Sequence, residues 1–87
     1  LMQQRFNQLV SEQLATMDKL LFLQAEIERF QKLENDLIEL QELTKVQSLK
    51  TEIFQKKREL KEIHRIFQEQ TDDVIRSYQE EYNEVTT

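Results

Sequence analysis

The feature that most constrains this chain is an absence: its 87 residues contain no glycine and no proline. Ordinary usage, about 7% Gly and about 5% Pro, predicts about ten such residues in this length. These two residues normally punctuate the boundaries between packed elements. Without them, and with a composition dominated by Leu, Glu, Gln, Lys and Arg, the chain reads as long helix. A lone helix cannot bury its own apolar stripe, so most of its stability has to come from packing against another helix. Association with a second chain, or folding back, is close to a physical requirement.

The apolar residues fit heptads in several frames. In the first, Phe6, Leu20 and Ile27 take position a and Leu9, Leu23 and Phe30 take d, with Gln13 and Thr16 as polar members. From Phe30 the spacing shifts, with Leu37 joining Phe30 at a and Leu33 and Leu40 at d. From Val46 a third frame places Val46, Ile53, Leu60 and Phe67 at a and Leu49 and Ile63 at d, with Lys56 and Gln70 polar at d. The tail shifts again to Val74, Tyr78 and Val85 on one side, with Tyr82 adjoining. These seventeen apolar and aromatic positions from Phe6 to Tyr78 form the expected oligomer interface.

The largest irregularity is the run Leu40, Leu43, Val46, Leu49, which steps by threes. Successive steps of three sweep the stripe around a helix of about 3.6 residues per turn. Charge changes in the same region. Residues 24–43 sum to −4, residues 44–65 to +4 and residues 66–87 to −5, while residues 1–23 are neutral.

Two arrangements satisfy this pattern. One is a nearly continuous helix forming an interrupted-heptad coiled coil. The β-branched residues at a and Leu at d favour a parallel dimer of such helices. The other is an antiparallel dimer or a helical hairpin turning near residues 44–48, which lays the acidic block along the basic one and brings Glu34 near Arg58. Thr44-x-x-Gln47 resembles a capping box able to start a second helix there. A tight turn, however, has no Gly or Asn at hand for the left-handed residue that commonly ends a helix. The reading favours the continuous helix, disturbed at 40–49. In either case the chain is all-α and forms a single coiled-coil segment over 1–87. Beginning at Leu1, it is expected to be an excerpt of a longer protein.

The chemistry-bearing residues are few. His64 is the lone histidine, and the residue three before it is Lys61, so the Glu-x-x-His pattern of di-metal bundles is absent. A nucleophile–base–acid constellation would need another histidine or a cysteine, or a Ser–Lys pair held in a pocket, and a rod offers no pocket. Neither catalysis nor a cofactor is expected. The basic cluster Lys56-Lys57-Arg58 with Lys61 and Arg65 is interleaved with Glu52, Glu59 and Glu62 in an acidic chain, which argues for a solvated, ion-paired face and against nucleic acid. The longest apolar run, Leu20-Leu21-Phe22-Leu23, is far too short to insert across a membrane. Leu21 and Phe22 fall outside a and d, and form a candidate docking patch for a folded partner such as a small GTPase or adaptor domain. The expected function is a non-enzymatic oligomerisation or spacer segment of an intracellular scaffold or tethering protein, acting as a homodimer in the cytoplasm. The alternative is a helical binding module that presents its surface to such a partner.

Overall fold

The computed structural model describes residues 2–86, with side chains over residues 3–83; Val85 of the tail stripe lies outside the described side chains. The chain is all-helical and elongated, as its composition requires. It consists of two helices, α1 (Met2–Glu39) and α2 (Leu43–Thr86), folded back on each other as a hairpin. The Cα envelope measures 68 × 14 × 14 Å. A continuous helix of this length would be about 130 Å long.

The favoured continuous helix therefore gives way to the hairpin alternative, and the reversal sits at 40–42, ahead of the 44–48 expected for it. Gln41 adopts φ = 58°, in the left-handed region. Its N–H donates to the Ile38 carbonyl at 3.0 Å, and the Glu42 N–H donates to the Leu37 carbonyl at 3.0 Å. This pair of bonds is a Schellman closure, with glutamine where glycine is usual. The Glu42 carbonyl then accepts from the Val46 N–H at 3.1 Å, starting α2. Thr44 consequently lies inside the first turn of α2 and does not cap it.

Energetics explain why a turn without glycine forms. The left-handed conformation costs a residue with a Cβ about 1–2 kcal/mol. Closing the hairpin buries Leu20, Leu23, Ile27, Val46, Leu49 and Ile53, each 5–8% exposed. At about 1.5–3 kcal/mol per large apolar side chain, that is on the order of 10 kcal/mol. A dimer could bury the same stripe, but it bears an association cost of about 4 kcal/mol or more that a three-residue connection avoids.

The reversal also removes the apparent frame shifts. On α1 the seam positions, all buried or half-buried, run Phe6, Leu9, Gln13, Thr16, Leu20, Leu23, Ile27, Phe30, Glu34, Leu37, alternating steps of three and four without a break. On α2 they run Val46, Leu49, Ile53, Lys56, Leu60, Ile63, Phe67, Gln70, Val74, Ser77, Glu81 in the same alternation. Each arm is one unbroken heptad stripe, and polar residues hold the frame where apolar ones seemed to leave it. Glu34, not Leu33, occupies the seam, and Ser77, not Tyr78, follows Val74. Leu33, Leu40 and Tyr78 are exposed, at 45%, 71% and 58%, and lie outside the seam. The step-by-three run is explained in the same way. Leu40 and Leu43 flank the turn, whereas Val46 and Leu49 open the stripe of α2.

Candidate functional site

Contacts between the arms fix their register. Phe6 meets Tyr78, with ring centroids 6.2 Å apart at 53°. The Gln13 amide donates to the Thr71 hydroxyl. Lys56 Nζ lies 3.2 Å from Glu26 Oε1 and 5.2 Å from the centre of the Phe30 ring. All four pairs mirror about residues 41–43. The expected alignment of the acidic block with the basic block is realised by Glu26 and Lys56. Glu34 and Arg58 belong to a register centred four residues later and do not pair up across this hairpin.

The seam differs along its length. Near the turn it is apolar apart from Glu34 and Lys56. Toward the open end Gln13, Thr16, Gln70 and Ser77 enter it, flanked by Thr71, and the two threonine hydroxyls are served locally. Thr16 Oγ1 donates to the Glu12 carbonyl at 3.2 Å, and Thr71 Oγ1 to the Phe67 carbonyl at 3.0 Å. Gln70 Oε1 is buried without a partner. No large side chain among the described residues is fully enclosed.

The outer faces carry the most information. With the seam as a and d, each helix has an e/b flank and a g/c flank. In an antiparallel pair the two e positions adjoin on one side and the two g positions on the other. The structure follows this geometry. A groove of ≈ 310 Å³ at the open end is lined by Gln3 (e) and Asn7 (b) of α1 and by Tyr78 (e) and Tyr82 (b) of α2, with Phe6 and Glu81 between them. A groove on the other side is lined by Glu52, Gln55 and Glu59 of the g/c flank, beside Phe30 and Lys56.

The two flanks differ in chemistry. Eleven large apolar or aromatic side chains are exposed among the described residues. Eight of them occupy e or b: Leu14, Leu21, Ile38, Leu43, Phe54, Ile75, Tyr78 and Tyr82. Three, Phe22, Leu33 and Leu40, occupy g or c. The half-buried Val10 and Met17 extend the e/b flank between the levels of Leu14 and Leu21. The g/c flank instead carries ion pairs. Arg29 reaches Glu26, Arg76 reaches Asp73 at 3.3 Å, and Arg65 bridges Glu62 and Glu69. Hydrogen bonds from the Arg65 guanidinium hold the fully exposed Glu62 carboxyl below its ordinary value, and the same contacts raise Arg65.

The run Leu20-Leu21-Phe22-Leu23 is thereby divided. Leu20 and Leu23 are in the seam, each 5% exposed, whereas Leu21 points along the apolar flank and Phe22 along the charged one. His64 is exposed at an e position beside Lys61. Among the described residues, no three His, Cys, Asp or Glu residues are grouped to hold a metal ion, and neither helix is long and apolar enough to cross a membrane. Sequence reading placed Leu21 and Phe22 outside the seam but did not separate the two flanks. The flanks become visible only once each arm is given a single frame, and the frame depends on where the chain turns.

Comparison with known proteins is consistent over most of the chain. It is 45% identical over 73 residues, 84% of its length, to the uncharacterized protein YgaB of Bacillus subtilis strain 168. The match covers 64% of that relative, so the chain spans less than two thirds of the relative's length. No solved structure matches. Residues 5–81, nearly the whole hairpin, match the profile described as YgaB-like protein, and the chain belongs to the YgaB-like family.

Proposed function

We propose that the chain is a non-enzymatic helical interaction module, which assembles through one side of its hairpin and spaces the parts of an intracellular scaffold or tether. The observation that carries this reading is the segregation of eight of eleven exposed large apolar side chains to the e/b flank. Exposed apolar side chains gathered on one side, in one group at the open end and another beside the turn, mark an interaction site. The mechanism is helix-on-helix packing. The seam makes the hairpin stiff, the ion-paired g/c flank keeps one side solvated, and the e/b flank offers the area that a further helix would bury. The lack of cysteine agrees with a reducing cytoplasmic setting.

A second reading has its own observation. Phe22 is 63% exposed on the charged flank, one turn from Glu26 and two from Arg29. An aromatic anchor among charges suits a folded partner such as a small GTPase or adaptor domain. The test is a photo-crosslinking residue placed in the full-length protein in its own cell, at Leu14 on the e/b flank, at Phe22, or at Ser48 on the g/c flank. Protein adducts at residue 14 and none at 48 are expected. Adducts at 22 alone favour the second reading, and none at any position overturns both.

A further inference from the structure

We infer that the occupant of the e/b flank is a second copy of this chain, which packs in register to complete a four-helix bundle. The inference rests on the interaction reading above and adds the identity and orientation of the partner.

Area is the first argument. The eight apolar side chains on this flank are 45–68% exposed. With three of them aromatic, at about 150–250 Å² each, and five aliphatic and somewhat smaller, they offer up to about 800 Å² per copy. A stable interface buries about 800 Å² per partner, so one hairpin face against another is the right size.

Charge is the second. Over residues 24–38 the e/b positions of α1 hold one charge, Glu28, and no base. Over residues 43–64 the e/b positions of α2 hold Lys50, Lys57 and Lys61 and no acid. A two-fold axis parallel to the long axis lays α1 of one copy over α2 of the other, with every neighbouring pair of helices antiparallel. Glu28 then lies at the level of the other copy's Lys57, because pairs mirror about residue 42.

One apolar level coincides under the same operation: Val10 meets that of Ile75 to within one residue, and Ile38 and Leu43 lie within one helical turn of each other beside the reversal. A head-to-tail two-fold about the middle of the hairpin brings Leu21 to the level of its own copy but leaves Glu28 facing no base, because the e/b positions of α1 carry none. It sets the apolar open half against the lysine-bearing half near the turn and lays each helix on its own copy. The charges of the flank are thus complementary in one orientation, the property that a closed two-fold interface requires.

The test uses the purified chain in sedimentation equilibrium, with a single spin label at Gln47 near the turn. The expected result is a species of twice the 10.6 kDa chain mass, with the two labels less than about 30 Å apart, as turn-to-turn alignment of helices about 10 Å apart demands. Leu14→Glu with Ile75→Glu alters two positions already exposed in the hairpin. That variant is expected to keep its helical ellipticity and weaken the dimer about 100-fold or more. Phe22→Glu, on the other flank, is expected to leave the dimer intact.

A label separation of about 50 Å, which a head-to-tail pair of hairpins gives at about 1.5 Å per residue, overturns the in-register arrangement. A dimer indifferent to the double substitution overturns the assigned face. A wild-type chain of single mass at high micromolar concentration overturns self-association. In that last case, crosslinks at Leu14 in the cell to other proteins leave the interaction reading standing with a different occupant, and their absence removes both.

Discussion

Replacing Gln41 by glycine separates a hairpin from a continuous helix by the sign of its effect. In the hairpin, Gln41 holds φ = 58° and contributes its backbone N–H to the Ile38 carbonyl. The Schellman bonds use only the backbone, so glycine keeps both. It removes a left-handed strain of about 1–2 kcal/mol, and gives back about 0.5–1 kcal/mol through the greater freedom of the unfolded chain. The balance is a stabilisation of about 0.5–1 kcal/mol. For a chain of this size 1 kcal/mol moves the melting temperature by about 4–8 °C, so a rise of about 2–8 °C is expected. In an uninterrupted helix the same substitution sits mid-helix and destabilises by up to about 1 kcal/mol. Thermal melts followed at 222 nm, at one matched protein concentration, measure the difference. A melting temperature lowered by glycine refutes the turn. Gln41→Pro is the complementary probe. Its ring fixes φ near about −65° and it lacks the donor, so loss of the closure by about 3 kcal/mol or more is expected.

Cutting a seam residue should be costly and cutting a flank residue should not. Leu23→Ala or Ile53→Ala is expected to destabilise by about 2–4 kcal/mol in denaturant titration, and Leu33→Ala or Leu40→Ala by less than about 0.5 kcal/mol. Gln70→Leu removes a buried oxygen that has no partner, and the same titration should show a gain of about 1 kcal/mol in place of the usual loss for a core substitution. The Glu62 carboxyl, which accepts from Arg65, should titrate below 4.5 by carbon-detected NMR, and Arg65→Ala should return it to that ordinary value. Because the folded value is the lower one, this contact contributes above pH 4.5 and is lost as pH falls through the folded value. Stability should therefore fall in acid, with a smaller dependence in the Arg65 variant.

Helix, elongation and the need for a packing partner were legible because they follow from what the chain lacks. With neither glycine nor proline, nothing competes with helix over most of the chain, and the stripe from Phe6 to Phe30 has the same frame in sequence and structure. The turn was not legible, for a reason of magnitude. A left-handed glutamine costs about 1–2 kcal/mol locally, and local signals weigh that cost without the larger burial that closure brings from twenty or more residues away. Treating the stripe as one helix then forced three frame shifts that the molecule does not contain. Hydrophobicity drew Leu33, Leu40 and Tyr78 into the seam, but geometry gives those levels to Glu34 and Ser77, and Leu40 to the turn. A half-buried glutamate and a serine 3% exposed are poor advertisements for a core. They are compatible with it because a two-helix seam is thin enough for Glu34 to reach water and Ser77 is small.

The thinness of that seam also bears on why the flanks diverge. Two helices shield a stripe from one side only, and even the most buried apolar residues, Leu20, Leu23 and Val46, retain 5% exposure. The deficit is greatest at the open end, where Gln13, Thr16, Gln70 and Ser77 replace apolar seam residues. That is where the e/b flank is most apolar, with Val10, Leu14, Met17 and Leu21 on one arm and Ile75, Tyr78 and Tyr82 on the other. Apolar content has not been lost from this half of the hairpin; it has moved outward by about one helical column. An isolated hairpin gains little from that displacement, since it exposes Leu and Ile while placing glutamine inside. A bundle gains twice. Covering the flank buries the displaced residues, and it also withdraws the Gln13–Thr71 hydrogen bond from competing water, where such a bond is stronger. The inside-out distribution at the open end is thus the expected signature of a hairpin whose core is completed by further helices.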